Sequence, residues 1–300
     1  MSVVASVARK AAGWFLRQEP TDVDDAVRHF RARTESRLMR NPLPRGVGSR
    51  AMLAQGRVPG GLWIGVPAPS VSILYLHGGG YVAGVPETYG AMVGSICREL
   101  DGEAFLARYR LAPEHRYPAA LDDAVAAYRM VLGRGTEPRR VAVMGDSAGG
   151  GLALATVQRL RDEGDALPAA VVALSPWADL TCTSPAMSRF DGVDPMLSRR
   201  QLEFSAAAYL DGTDPATPGA SPVFGDFAGF PPILLTAADD EVLGDDARSV
   251  AERAERVGVT VDLIERSGVL HVWPMLHSVM PEAKVDLARI VAFLRNHLTD

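Results

Sequence analysis

The stretch Val141-Ala-Val-Met-Gly-Asp-Ser-Ala-Gly-Gly-Gly151 limits what this chain can fold into more than any other. An apolar, β-prone run from Val141 to Met144 enters Gly145-Asp-Ser-Ala-Gly149, and a helical pattern carrying Leu152, Leu154, Ala155, Val157 and Leu160 leaves it. A strand therefore passes into a helix across a sharp turn, with Ser147 at its apex. Glycines at 145 and 149 have no Cβ, so strand and helix can approach closely on either side of that strained residue. The helix that starts after Ser147 also aims unpaired N–H groups and the positive end of its dipole at the turn. Taken alone, the pattern also fits a glycine-rich turn that tucks a helix onto a sheet, so the remainder of the chain has to discriminate.

Strand and helix patterns alternate along most of the sequence. Strand-like runs at 71–76, 102–109, 169–174, 232–237 and 259–265 are separated by helical patterns over about 87–100, up to 132, after Ser147, over about 245–257 and from Pro281 onward. Uninterrupted apolar strands are those buried on both faces, and the alternation predicts an α/β fold with a mostly parallel central sheet covered by helices on both sides. Two short strands at 50–55 and 61–66, joined through Pro59-Gly-Gly61, read as a hairpin at the sheet edge. Ahead of them, Val3, Val7, Ala11, Trp14 and Phe15 fall on one helical stripe. Thr21-Asp22 caps a second helix running to about Met39, which Asn41-Pro-Leu-Pro44 ends. Between about 181 and 228 the alternation breaks, with one helix at 198–209 among the turn signals Asp194-Pro195, Asp211-Gly212, Asp214-Pro215 and Thr217-Pro-Gly219. The expected organisation is an N-terminal helical cap segment, 1–48, and a main domain, 49–300, with a cap insertion at about 181–228.

Composition removes several classes. The formal net charge is -5 and the basic residues are scattered. Phosphate binding needs a concentrated basic face, so nucleic acid is not an expected partner. Cys97 and Cys182 fit no metal-ligand spacing and read as reduced and buried, which suits a cytoplasmic protein. No apolar run reaches the length of a membrane span, and Arg9 and Lys10 interrupt the apolar N-terminus in a way that a signal peptide does not. Three readings of residues 3–17 stay open: a helix packed on the body of the protein, a lid helix whose Trp14 and Phe15 line a substrate pocket, or a peripheral contact with a membrane surface.

Four features fall at the carboxyl ends of expected strands, where the sites of parallel sheets assemble. They are the triple glycine Gly78 to Gly80, Ser147, Asp240 and His271. A triple glycine lets bare backbone N–H groups converge on one point, where an anion or an oxyanion can bind. A serine hydroxyl is a poor nucleophile until a base takes its proton, and an imidazole can do so near neutral pH. A carboxylate must then fix the imidazole tautomer and stabilise the imidazolium. Serine, then aspartate, then histidine is the chain order of hydrolases built on such a sheet. His115 lies in a proline-bounded loop with Arg110 and Glu114 and is expected to be structural.

His77-Gly-Gly-Gly80, Tyr109-Arg-Leu-Ala-Pro-Glu-His115 and Gly145-Asp-Ser-Ala-Gly-Gly150 resemble the hallmarks of the hormone-sensitive-lipase-like family of α/β-hydrolases, whose bacterial members are mostly carboxylesterases. The similarity runs from about Val71 to the C-terminus, through Ser175-Pro-Trp-Ala-Asp-Leu180, Asp194-Pro-Met-Leu197, Asp240-Glu-Val-Leu243 and His271-Val-Trp273. This resemblance implies the α/β-hydrolase fold with a helical cap, and a cofactor- and metal-independent serine esterase that hydrolyses small to medium carboxylic esters through an acyl-enzyme. It assigns Ser147 as nucleophile, Asp240 as orienting acid and His271 as base. The oxyanion hole falls to Gly78, Gly79 and Gly80 with Ala148, and Tyr81 joins Trp14 and Phe15 as a pocket residue. Asp240-Glu-Val stands where the family commonly has Asp-Pro-Leu, which leaves Asp239 as the alternative acid, and Asp146 is expected to be structural. The same chemistry serves a lactone or amide hydrolase or a lipase. The resemblance extends to plant gibberellin receptors, which bind a ligand on this fold without a functional histidine, so a non-catalytic binding module is the alternative of another class; the intact His271 speaks against it. Relatives often pair through the edge strand, here at 259–265, and monomer and homodimer both stay open.

Overall fold

Helices α1 (Val3–Phe15) and α2 (Val23–Thr34) precede a hairpin of β1 (Gly48–Met52) and β2 (Gly61–Gly65). There follow β3 (Val71–Leu76), α3 (Gly90–Leu100), β4 (Gly102–Ala107), α4 (Ala119–Gly133), β5 (Val141–Asp146), α5 (Ala148–Asp162) and β6 (Ala170–Leu174). The excursion after β6 holds α6 (Pro185–Arg189) and α7 (Arg199–Leu210), and the chain closes with β7 (Ile233–Ala238), α8 (Gly244–Arg256), β8 (Val261–Arg266) and α9 (Pro281–His297). This is a computed structural model that describes residues 2–15, 17, 19–34 and 41–298, the side chains of 11–15 and 33 excepted.

The eight strands form one sheet in the order β1-β2-β4-β3-β5-β6-β7-β8, antiparallel at the β1–β2 and β2–β4 pairs and parallel elsewhere. All six residues of β3 are buried, because helices cover both faces. Leu74 and Leu76 enter a core shared with Leu121 and Val125 of α4, Leu152 of α5 and Val250 of α8. Ile73 and Tyr75 enter a second core with Ile96 of α3 and Ile290 of α9. Burying each such aliphatic side chain contributes roughly 1.5–3 kcal/mol, so the central strands carry apolar residues on both faces rather than on alternate positions only.

Strand order decides where a site can form. The chain leaves β3 for β4 on one side and returns to β5 on the other, so a crevice opens beyond the carboxyl ends of β3 and β5. Leu76 is paired in register with Gly145, which sends His77–Gly80 and Asp146–Ala148 out of the sheet side by side. Helix α2 packs on α7 above this crevice.

The α/β architecture, the edge hairpin and helices expected from the sequence are present, with differences in detail, among them the first hairpin strand, which lies at Gly48–Met52 rather than 50–55. The expected helix at 87–100 begins as a 3-10 turn, Pro86–Tyr89, before α3. The 181–228 excursion contains α6 in addition to α7; at five residues, started by the Ser184 cap and Pro185, α6 is too short to show a helical period. The second helix is described to Thr34, and its expected continuation towards Met39 lies outside the described residues. Cys97 and Cys182 are free and buried, and among the described residues no helix is long and apolar enough to cross a membrane.

Candidate active site

Ser147 sits between β5 and α5 at φ 52° and ψ -124°, a conformation that L residues rarely adopt. The turn is held from the end of β6 and the loop that follows it: the Ser147 N–H donates to the Leu174 carbonyl at 2.8 Å, and the Ser147 carbonyl accepts from the Trp177 N–H at 2.9 Å. A Cβ at Gly145 would stand 2.1 Å from the Gly149 carbonyl oxygen, and one at Gly149 would stand 2.1 Å from that of Leu76. Both glycines are therefore required by close approach of backbone to backbone.

The glycine loop after β3 is tied to the same turn through Asp146. One Asp146 oxygen accepts from the Gly78 N–H at 2.9 Å and from the Tyr75 hydroxyl at 2.8 Å. Asp146 is thus structural, as the sequence reading expects. Gly78 departs from that reading: its N–H is already committed to Asp146 and does not face an oxyanion. Gly79 and Gly80 have φ of 122° and 63°, and their N–H groups, like that of Ala148, make no hydrogen bond among the described residues. The Gly79 carbonyl accepts from Val82 and Ala83 at 3.1 and 3.0 Å, which closes the loop into a tight turn. His77 is fully enclosed; burial pushes its imidazole down to about 4, so the ring beside Tyr109 is neutral.

The acid loop corrects the sequence reading. His271 Nδ1 lies 2.6 Å from Glu241 Oε2, with both side chains buried. Asp240 points the other way, into the Arg9 guanidinium, at 3.1 and 2.7 Å from its two terminal nitrogens. Asp239 accepts from the Ser267 hydroxyl. Adjacent residues in an irregular loop project differently, and the partner that arrives from α1 takes Asp240, leaving the longer Glu241 side chain to reach the imidazole. The other Glu241 oxygen accepts from the Ala238 N–H at 2.9 Å, which fixes the carboxylate against the end of β7. One sequence signal could have found it. Glu241-Val-Leu243 matches Asp-Pro-Leu at its leucine, one position later than the register in which Asp240 is the acid.

Asp194 links this loop to the excursion. Its carboxylate accepts from the Met196 and Leu197 N–H groups at 2.8 and 3.0 Å and from that of Val242 at 3.1 Å. Burial would push the His271 imidazole down, but Glu241 first, then Asp194 and Asp146, outweigh it and hold the pKa above the ordinary histidine value. Burial likewise raises Asp146, to about 6, against the opposing hydrogen bonds from Tyr75 and Gly78. With Glu241 accepting at Nδ1, the neutral ring carries its proton there and presents the Nε2 lone pair. Nε2 has no hydrogen-bond partner among the described residues, so the contact to Ser147 is open in this structure.

Ser147 and His271 line one cavity of about 100 Å³, with Phe30, Gly79, Tyr89, Leu197 and Met275 among its walls. Tyr81 is not part of that wall: it is buried, with its ring stacked on Tyr209 at 4.0 Å between ring centres. The side chains of Trp14 and Phe15 lie outside the described residues. His115 stays in its loop, away from these groups, its N–H donating to the Leu111 carbonyl.

A strained serine on a strand-to-helix turn, a buried carboxylate–imidazole pair and free loop N–H groups on one crevice define a serine hydrolase of the α/β-hydrolase type. Residues 73–275 match the profile of the alpha/beta hydrolase fold family. An acetyl-hydrolase of Streptomyces hygroscopicus is 45% identical over 225 residues, covering 75% of each chain. The crystal structure of an esterase from the bacterial hormone-sensitive lipase (HSL) family superposes with a TM-score of 0.90 at 36% identity, over 100% of this chain and 99% of that one. The structure of EstE5–PMSF superposes at 0.89 with 36% identity over 97% of both. The chain belongs to the alpha/beta hydrolase fold family, with the bacterial HSL-type esterases as its structural neighbours, and is a carboxylic ester hydrolase.

Proposed function

We propose that this enzyme hydrolyses esters of short acyl groups, with Ser147 as nucleophile, His271 as general base and acid, and Glu241 as the residue that orients and charges the imidazole. The observation that carries the proposal is the buried 2.6 Å contact between Glu241 and His271, on the same cavity as the strained Ser147. Ser147 Oγ attacks the ester carbonyl carbon while Nε2 of His271 takes its proton. The imidazolium is stabilised by Glu241, and the oxyanion is received by the N–H groups of Gly79, Gly80 and Ala148. Each such donor is worth roughly 3–4 kcal/mol in this chemistry. The tetrahedral intermediate collapses with loss of the alcohol, which leaves with the proton from Nε2. Water then enters, loses a proton to Nε2, and releases the acid and Ser147.

Cavity size supports the acyl limit. The cavity that Ser147 shares with His271 is small, about 100 Å³, and suits a short acyl group beside the nucleophile. Residues 1–48 and 181–228 act as the cap in this reading: Phe30 of α2 and Met196 and Leu197 of the excursion stand across from Ser147. The Streptomyces relative, named for acetyl hydrolysis, agrees with a short acyl chain. Hydrolysis of nitrophenyl esters from acetate to palmitate is the test. Acetate to butyrate are expected to be the best substrates, with Ser147→Ala lowering kcat by roughly 10⁶-fold. A preference for palmitate would overturn the size argument, and an active Ser147→Ala the mechanism.

A further inference from the structure

The acid loop and the histidine loop leave different strands, β7 and β8, and their side chains must meet within hydrogen-bond distance. The Arg9 guanidinium, carried by α1, reaches both loops. It forms a two-pronged pair with Asp240, at 3.1 and 2.7 Å, and donates to the Val269 carbonyl at 2.6 Å. Asp240 immediately precedes Glu241, and Val269 lies just ahead of His271. A planar guanidinium presents its donors in a fixed fork, so it sets the distance between two partners in a way that a flexible ammonium does not. The pair is mostly shielded, with 18% of the Arg9 side chain and 27% of that of Asp240 exposed. Helix α1 is docked separately at its start: the Ser2 N–H and hydroxyl donate to Glu282 at 2.7 and 2.9 Å, and Ala5 is buried.

We infer that Arg9 is a positioning residue for ester hydrolysis. It clamps the Glu241 and His271 loops at their working separation without touching the reacting atoms, and through it the N-terminal helix governs turnover as well as covering the site. The inference rests on the roles proposed above for Glu241 and His271.

Arg9→Met keeps the aliphatic stem and removes the fork. With the full chain and a short nitrophenyl ester, kcat is expected to fall roughly 10- to 100-fold, the scale set by small misplacements of catalytic groups. KM should hardly change, because the interaction is not with substrate. Arg9→Lys should recover part of the lost kcat. Asp240→Asn should lose a similar factor, and the double variant Arg9→Met, Asp240→Asn no more than the larger single loss, since both cut one link. An unchanged kcat in Arg9→Met, or a raised KM at constant kcat, would each overturn the inference. Should Arg9→Met fail to fold, Arg9→Lys and Asp240→Asn read the same link. Glu241→Gln separates the two levels: full activity there sinks the underlying roles, whereas loss there with none in Arg9→Met sinks the clamp alone.

Discussion

Around Ser147, the contacts that fix the turn come from the strands beside it and from the glycines within it. The Leu174 carbonyl receives its N–H, and Gly149 lies against the Leu76 carbonyl. Around Glu241, three consecutive acidic residues are shared out among partners from elsewhere in the chain: Ser267 for Asp239, Arg9 for Asp240 and His271 for Glu241. The Asp240 partner is 231 positions away. A turn built from backbone close approach tolerates few sequences and announces itself. A loop that assigns three carboxylates by the arrival of distant side chains does not.

The comparison breaks first at the acids. Glu241→Gln is expected to lower kcat by roughly 10⁴-fold, as loss of the tautomer-fixing carboxylate does in this chemistry, and Asp240→Asn by no more than about 100-fold. Equal losses in the two would mean that the loop, and not the one carboxylate facing His271, is what matters. Steady-state kinetics on a short ester measures both.

Gly149→Ala probes the other region. Its new Cβ meets the Leu76 carbonyl oxygen at 2.1 Å, and backbone cannot yield cheaply, so the strand–helix contact must open. A loss of about 1–3 kcal/mol of stability is expected, with activity falling alongside it. Chemical denaturation measures the first and ester turnover the second. A variant of wild-type stability would show that the turn is less constrained than its contacts imply.

The pH profile joins the two regions. His271 must be neutral at Nε2 to accept the Ser147 proton, and its carboxylate neighbours hold its pKa above the ordinary value of 6.5. Activity is therefore lost as pH falls through a midpoint above 6.5, read from kcat/KM of the free enzyme. Removing Glu241 should move that midpoint down, because the carboxylate that favours the charged ring is gone. The same raised pKa has a sign in stability: its contribution is complete below the unfolded histidine value and fades as pH rises through the folded one.

Most of the sheet was legible in the sequence because strands buried on both faces are predominantly apolar on both, and because the helices between them show a regular period. The turn that carries Ser147 and the positive-φ glycines 79 and 80 beside it were legible for the same kind of reason: glycines and a strand-to-helix junction are local constraints. Gly78 was misplaced because its glycine is required for packing, with a Cβ there 2.4 Å from the Asp146 carboxylate, and its N–H is spent on that same side chain. Tyr81 was misplaced because an aromatic beside a glycine loop can turn towards the pocket or into the core, and the Tyr209 ring decides for the core.

The sequence by itself determined the strained turn, the succession of buried strands along the chain and the set of residue types that the chemistry requires. These follow from sterics and periodicity within a few residues of each site. Only the tertiary structure decided which acid faces His271, which glycine N–H groups make no hydrogen bond among the described residues, and what walls the cavity beside Ser147. Each of those depends on a partner brought from another element: Arg9 from α1, Asp146 from β5, Phe30 from α2. A side chain's direction in an irregular loop is set by what meets it there.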